Sequence, residues 1–169
     1  VAGDWKEAYL AGVEKIKKIY GIEMHETFDA AIISNGGYPK DINLFQSVKG
    51  LHNAGFVMNP GSSVVLCADC FDGFGPEGYR KGFTDFADYN ALWDAQNAHY
   101  DPEMAISLLT MRYLQKMTKV YLISSLPDED VRLAGMIPVK TPEEAWAHVC
   151  EDKPDLKKVM VLPCGALTC

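Results

Sequence analysis

The sequence predicts an α/β fold, with a mostly parallel sheet and helices on both faces in a Rossmann-like three-layer arrangement. Short apolar segments rich in β-branched residues alternate with longer segments of helical periodicity. The apolar segments are nearly continuous, which is typical of parallel strands covered on both faces. The chain has 169 residues and shows no internal repeat or linker composition. We therefore expect a single α/β domain over residues 1–169.

In the first half of the chain, each predicted element has a local signal. Tyr9, Val13, Ile16 and Ile19 recur at helical spacing, and Gly21 is a natural stop. The elements predicted here are a helix over residues 5–20, a strand over 29–34, a helix over 41–53 that begins at Asp41 as N-cap, and a strand over 63–68.

In the second half, two helix starts are marked by a capping residue followed by proline, Asp101-Pro102 and Thr141-Pro142. An apolar stripe in the helix over residues 101–117 is expected to be core. The remaining predictions are short helices near 83–86, 89–95 and 128–133, strands over 119–124 and 159–163, and a short edge strand over 137–139.

Composition excludes several classes of protein. The formal net charge is −7, which argues against a nucleic-acid partner, since such proteins present a basic face. No run of 18 apolar residues exists, so no membrane span is expected. Five cysteines, an odd number and several within apolar segments, indicate reduced thiols and a cytoplasmic location. The oligomeric state cannot be read from the sequence.

The junction after the first strand carries the strongest functional signal. Residues 34–40, Ser-Asn-Gly-Gly-Tyr-Pro-Lys, follow a strand of a parallel sheet, where ligands bind in this class of fold. Gly36 and Gly37 permit positive φ and a close approach of the backbone. At 100° per residue, Gln46 and Lys49 share a face of the next helix. That face lies opposite the apolar positions Leu44, Val48 and Leu51.

Three segments carry a resemblance to a known family. The run Ser34–Gly50, SNGGYPKDINLFQSVKG, resembles the C-terminal domain of the nickel-dependent lactate racemase family, which has the pattern S-N-G-G-Y-P followed by Q-x-x-K-G. Cys70–Tyr79 resembles that family's C-x-D-G-x-G-x-E-G-[FY] segment, and Val120–Pro127 resembles a third family segment. Their order and spacing fit, so the likeness covers nearly the whole chain.

The resemblance implies a racemase or epimerase for 2-hydroxy acids. In that family a nickel-pincer nucleotide takes hydride from the substrate carbon and returns it to either face. It implies that Gln46 and Lys49 are the catalytic residues of this chain and contact the bound substrate or cofactor. The residues assigned to the surrounding cleft are Asn35, Gly36, Gly37, Tyr38, Asp72, Gly73 and Glu77.

The same resemblance implies that half of the site is elsewhere. The family's nickel ligand, its cofactor-tethering lysine and its catalytic histidines belong to an N-terminal domain. We therefore expect no metal site in this chain, which we interpret as the C-terminal domain of a longer enzyme that is inactive alone. Its expected partners are that N-terminal domain and a small 2-hydroxy acid.

Several alternatives remain open at this stage. Gln46 and Lys49 can be an ordinary solvated helix face. The chain can be a non-catalytic module that binds a small anion or nucleotide at the glycine turn. The Cys67-x-x-Cys70 pair can join Cys164 and Cys169 in a thiol-metal site. The loop around Asp72, Gly73 and Glu77 can be a plain glycine loop with solvated acids.

Three further side chains are given structural roles. We expect Tyr38 to pack the turn in preference to lining the cleft. Trp93 is expected to be a buried or interdomain anchor. His52 is expected at the edge of the core.

Overall fold

The computed structural model describes residues 1–117 and 119–168. The helices are α1 (Trp5–Tyr20), α2 (Leu44–Gly55), α3 (Glu77–Thr84), α4 (Tyr89–Ala98), α5 (Pro102–Lys116), α6 (Asp128–Leu133) and α7 (Pro142–Asp152). The strands are β1 (Phe28–Ser34), β2 (Met58–Cys67), β3 (Lys119–Ile123), β4 (Ile137–Val139) and β5 (Val159–Leu162). A short 3₁₀ turn covers Gly165–Leu167.

These strands form a parallel five-stranded sheet in the order β4-β3-β2-β1-β5, which confirms the predicted fold class. The main core lies between the sheet and the layer that contains α2, α3 and α5. A smaller core lies on the other face, beneath α7. The short β4 is an edge strand, as predicted. Because the strands are parallel, the loops that follow them converge at one edge of the sheet, where the predicted site lies.

The helix starts separate correct predictions from a wrong one. Asp101 and Thr141 cap α5 and α7 by accepting hydrogen bonds from first-turn N–H groups, as predicted. Asp41 does not cap α2. Its carboxylate accepts from the Asp69 N–H at 3.3 Å and its carbonyl from the Cys70 N–H at 2.8 Å, which ties it to the loop after β2. Asn43 caps α2 instead.

Burial also departs from the predictions in places. The apolar stripe of α1 exists, but no residue of that helix is buried. In α5 the residues with the least exposure are Ser107 and Thr110, while several members of the predicted stripe are only half-buried against the core. Trp93 is 47% exposed and stacks on Tyr89, so it is not buried within the described chain.

The helix predicted near 83–86 is displaced, since α3 ends at Thr84. The second strand begins earlier than predicted, at Met58. Among the described residues, no helix combines the length and the apolar character that crossing a bilayer requires.

His52 lies at the edge of the main core, as predicted. Its Nε2 is 3.1 Å from the Thr110 hydroxyl oxygen, and its ring stacks on Tyr113 with centroids 5.3 Å apart. Burial lowers the pKa of His52 to about 4. The folded chain therefore holds this imidazole neutral in a pH range where an unfolded histidine is protonated.

This lowered pKa gives a pH dependence of stability. Above about pH 6.5 the imidazole is neutral in both the folded and the unfolded state, so His52 does not lower the free energy of unfolding there. As the pH falls from about 6.5 to 4, only the unfolded chain gains the proton, and the free energy of unfolding falls by roughly 2–3 kcal/mol. Urea unfolding of wild type and His52→Gln at pH 7 and pH 4.5 measures this. The variant should lose less stability between the two pH values; equal losses would contradict the assignment.

Candidate functional site

The turn after β1 is built around two glycines. The Ser34 hydroxyl oxygen accepts a hydrogen bond from the Gly36 N–H at 3.1 Å. Gly36 and Gly37 have φ values of +91° and +79°, the positive values predicted for this turn. A Cβ at Gly36 would lie 3.3 Å from the Cys164 sulfur. The positive φ values therefore favour glycine at both positions, and a Cβ at Gly36 would in addition crowd Cys164 in the segment after β5.

The start of α2 is closed by the loop that follows β2. The Leu44 and Phe45 N–H groups donate to the carbonyls of Gly73 and Phe74, each at 3.0 Å. Asn43 receives the next two helix N–H groups, on its side-chain and main-chain oxygens. Free N–H groups are what make a helix N-terminus an anion site. Because these are already paired, the start of α2 offers no free N–H donors to an anion; the alternative of an anion bound at the glycine turn itself is not tested by these contacts.

Gln46 and Lys49 project from the face of α2 that points away from the core. Leu44, Val48 and Leu51 on the opposite face have no exposed surface. The Lys49 ammonium donates to the Gln46 side-chain oxygen at 2.5 Å. Within the described chain, this is the only protein partner of either side chain's polar end. The amide NH₂ of Gln46 and the remaining ammonium hydrogens are therefore available to a ligand.

Gln46 also has a structural alternative that the geometry argues against. It lies three residues after the N-cap Asn43, the spacing of a capping box in which the Gln side chain bonds back to the N-cap N–H. Its side-chain oxygen instead accepts from Lys49. The Gln46 amide is therefore paired with the Lys49 ammonium and does not cap the helix.

Asn35 is placed differently from its sequence assignment. The family resemblance places it among the cleft residues, but its side chain has 0% exposure and lies beneath α2. Its side-chain NH₂ donates to the Ser47 carbonyl at 2.7 Å. Asn35 thus supports the helix and has no surface with which to contact a ligand.

The loop after β2 mixes structural glycines with exposed acids. Gly73 has a φ of +74° and supplies a carbonyl to the start of α2. The Asp72 N–H donates to the Ile42 carbonyl at 2.9 Å while its side chain is exposed. Glu77 is exposed in the first turn of α3, a favourable place for an acid. A Cβ at Gly73 would meet no atom within 4 Å, so the positive φ, not close packing, explains this glycine.

Tyr38 does not pack the turn, contrary to the preferred interpretation. It is 74% exposed, and its ring lies 6.2 Å from that of Phe71, which is 59% exposed. The two aromatic side chains come from the loops after β1 and β2. They form a small apolar surface at the carboxyl edge of the sheet.

A shallow depression of about 420 Å³ lies at the strand ends. Asp41 and Asp69 lie on its wall, and the Ser125 hydroxyl donates to the Asp69 carboxylate. Two carboxylates disfavour an anionic ligand here. Gln46 and Lys49 do not line this depression. The lining residues are Ser34, Gly37, Asp41, Cys67, Ala68, Asp69, Ile123, Ser124 and Ser125.

The two cysteines of the C-x-x-C pair have raised pKa values, which disfavours the thiolate that redox and metal chemistry require. Burial raises the pKa of Cys67, and burial together with the charges of Asp41 and Asp69 raises the pKa of Cys70 to about 11. Cys70 is 1% exposed and lies 3.4 Å from the Ser47 hydroxyl. No group of three or more His, Cys, Asp or Glu side chains is arranged to hold a metal across the described ranges 1–117 and 119–168. Cys169, part of the thiol-metal alternative, lies outside them.

Thiol labelling tests this account of the cysteines. With iodoacetamide at pH 7.5 in the native state, exposed Cys150 and Cys164 should react first and Cys70 last, since the thiolate is the nucleophile. Mass spectrometry of tryptic peptides gives the order. Unfolding in urea should abolish the difference for Cys70. Native labelling of Cys70 as fast as that of Cys150 would contradict its assignment as a buried, protonated thiol.

Asn53, which follows Gln46 and Lys49 along α2, has a structural role that the sequence does not predict. Its side-chain NH₂ donates to the carbonyls of Gly165 and Thr168 at 2.8 and 2.6 Å. The 3₁₀ turn after β5 is thereby fixed against the helix. The one feature of the sequence that could indicate this role is that Asn53 is a polar residue one helical turn after Lys49.

The structure is thus a parallel α/β domain in which α2 carries an amide and an ammonium in contact on its outer face. The family model for the lactate racemase C-terminal domain matches residues 24–168. The chain belongs to that family.

Individual proteins agree with this assignment. A lactate racemase of Thermoanaerobacterium thermosaccharolyticum is 37% identical over 168 residues, and one of Lactiplantibacillus plantarum is 28% identical over 169 residues. Both alignments cover 97% of this chain but 39% of the relative. The chain thus spans about two fifths of the length of these curated relatives.

Solved structures give the same picture. The lactate racemase apoprotein from T. thermosaccharolyticum superimposes with a TM-score of 0.83 and 27% identity, covering 96% of this chain and 40% of that one. A protein from Thermotoga maritima has a TM-score of 0.60 at 13% identity, covering 94% of this chain and 40% of that one, which shows the fold alone.

Proposed function

We propose that this chain is the C-terminal domain of a racemase or epimerase for small 2-hydroxy acids, within a longer enzyme that depends on a nickel-pincer nucleotide. One observation carries the proposal. Lys49 and Gln46 present an ammonium and an amide side by side on an exposed face of α2, without other protein partners in the described chain. The names of both curated relatives, lactate racemases, support the class of reaction.

The two side chains suit the carboxylate that every 2-hydroxy acid carries. The Lys49 ammonium can donate charge-assisted hydrogen bonds to a carboxylate oxygen. The Gln46 amide can donate to the same group and fix its orientation. Racemisation requires the substrate carbon to present both of its faces in turn. Anchoring the acid group alone leaves that carbon free to reorient. These residues therefore bind and orient the substrate carboxylate, while the groups that act on the reacting bond belong to the other domain.

A second surface is needed to complete such a site. Lys49 is exposed, and a small acid resting on it would keep most of its contact with water. Electrostatic interactions are much weaker in water than in a closed, low-dielectric site. In the proposal the enzyme's own N-terminal domain closes over α2, and this chain alone is inactive. The alignment with only 39% of each relative leaves ample polypeptide for that domain.

The described residues of this chain do not fit the cofactor as its principal site. The described part offers no set of three metal-ligating side chains, and the first-turn N–H groups of α2 are already bonded to protein oxygens. The proposal therefore assigns cofactor binding to the N-terminal domain. The four described cysteines are free thiols, which supports a cytoplasmic location as part of the proposal.

Activity of the full-length protein and of the isolated chain tests the proposal. Each is incubated with one enantiomer of lactate in the presence of the cofactor, and the opposite enantiomer is measured by chiral chromatography. The full-length protein should form it, and the 169-residue chain should not. Turnover by the isolated chain would show that the site is complete within these residues. Absence of racemisation of lactate and of other 2-hydroxy acids by the loaded full-length protein would refute the proposed activity.

A further inference from the structure

We infer that Asn35 and Gly50 together form a positioning contact that sets where α2 presents Lys49 and Gln46. This inference rests on the proposed function. Asn35 has no exposed surface and directly follows β1. Its side-chain NH₂ lies 2.7 Å from the Ser47 carbonyl and 3.5 Å from the Gln46 carbonyl. One amide thus joins the carboxyl end of the sheet to the turn of α2 that bears both ligand-facing side chains.

Gly50 makes that placement of Asn35 sterically possible. A Cβ at Gly50 would lie 2.2 Å from the Asn35 side-chain oxygen and 3.0 Å from a methyl group of Ile33. Such a contact is far below van der Waals distance, so any larger residue would displace either the amide or the helix. Gly165 packs on the same spot, since its own Cβ would lie 3.2 Å from the Gly50 Cα. The helix is therefore clamped between β1 and the 3₁₀ turn.

Stability alone does not account for an asparagine at this place. The Asn35 side-chain oxygen is buried and has no hydrogen-bond partner among the described residues. A buried acceptor without a partner lowers stability, because its lost hydration is not replaced. Asn35 is thus destabilising at its oxygen, whereas its NH₂ group contacts the carbonyls of the segment that carries Gln46 and Lys49. The geometry therefore fits a residue that fixes position at some expense of stability.

A small displacement at this contact would be amplified in catalysis. Lys49 directly precedes Gly50, so movement of the helix at Gly50 moves the Lys49 Cα with it. A misplacement of about 1 Å can lower a rate by about 100-fold when reacting groups must be aligned. We therefore expect Asn35→Ala, in the cofactor-loaded full-length enzyme, to lower kcat/KM for lactate by 10-fold to 100-fold.

A double-mutant cycle separates positioning from a general structural role. If Asn35 acts through Lys49, Asn35→Ala should lower kcat/KM in the wild-type background but have little further effect in Lys49→Ala. A merely structural role would give the same fold-loss in both backgrounds. Ser107→Ala is the matched control, because Ser107 is also buried and also donates to a carbonyl, that of Tyr79 at 2.6 Å. It should lower the Tm while leaving kcat/KM unchanged in the folded enzyme.

The outcomes also distinguish this inference from the proposed function. If the wild-type full-length enzyme does not racemise a 2-hydroxy acid, the proposed function fails; if it does but Lys49→Ala leaves kcat/KM unchanged, Lys49 is not in the site and this inference fails while the proposed activity stands. If Lys49→Ala lowers kcat/KM but the two effects multiply, or Asn35→Ala has no effect, the positioning role alone is overturned. Should Asn35→Ala not fold, Asn35→Ser keeps a buried hydroxyl donor too short to reach both carbonyls, and the same cycle is read from it.

Discussion

Replacing Lys49 with Ala in the full-length enzyme is expected to lower kcat/KM for a 2-hydroxy acid by about 100-fold, equivalent to roughly 3 kcal/mol of transition-state binding. Lys49 has Gln46 as its partner within the described chain, so the change leaves the packing of α2 untouched. The free energy of unfolding should therefore change by less than about 0.5 kcal/mol. Steady-state kinetics and urea unfolding of the same preparation measure the two quantities.

Two further variants control this experiment. Lys18→Ala makes the same change at an exposed position on α1, and it should leave kcat/KM within about twofold. Lys49→Arg keeps the charge but changes its geometry, so it should recover part of the activity. Unchanged kcat/KM in Lys49→Ala would remove Lys49 from the site.

The Gln46→Glu substitution is expected to act in opposite directions on stability and on activity. Gln46 occupies the third position of α2, where a carboxylate interacts favourably with the helix dipole and, three residues before Lys49, with a cation. The free energy of unfolding should rise by about 0.3–1 kcal/mol. A negative charge beside the substrate carboxylate should nevertheless lower kcat/KM by 10-fold to 100-fold, because juxtaposed like charges cost several kcal/mol.

This opposition makes the Gln46 experiment informative. A residue with a purely structural role would show activity that follows stability. Thermal unfolding and kinetics of Gln46→Glu separate the two cases. Gln115→Glu is the control, because it makes the same substitution on the exposed surface of another helix, α5. If Gln46→Glu is both more stable and fully active, no anionic ligand group lies beside position 46.

The predictable part of the fold is the part that local chemistry decides. Asp101 and Thr141 begin their helices as the sequence indicates, since a cap acts on N–H groups two or three residues away. Asp41 is equally suited to capping, but hydrogen bonds from the loop after β2 hold it, and the start of α2 moves to Asn43. That competition involves residues distant in sequence, which no local pattern reports.

The same division holds for the candidate site. The shared face of Gln46 and Lys49 follows from helical spacing and is present in the structure. The burial of Asn35 depends on Gly50 lying directly over it, a tertiary contact that spacing does not reveal. The sequence favours Tyr38 packing the turn, but its ring instead lies by the exposed Phe71 of the next loop. Turn chemistry fixes a backbone path, whereas the neighbouring loop decides where the side chain rests.

A crystal structure of the cofactor-loaded full-length enzyme with bound lactate tests the central claim most directly. The account predicts a carboxylate oxygen of lactate about 2.7–2.9 Å from the Lys49 Nζ, with the Gln46 amide donating to the same carboxylate. A lactate whose carboxylate is held entirely by the N-terminal domain, with Lys49 directed into solvent, would contradict it.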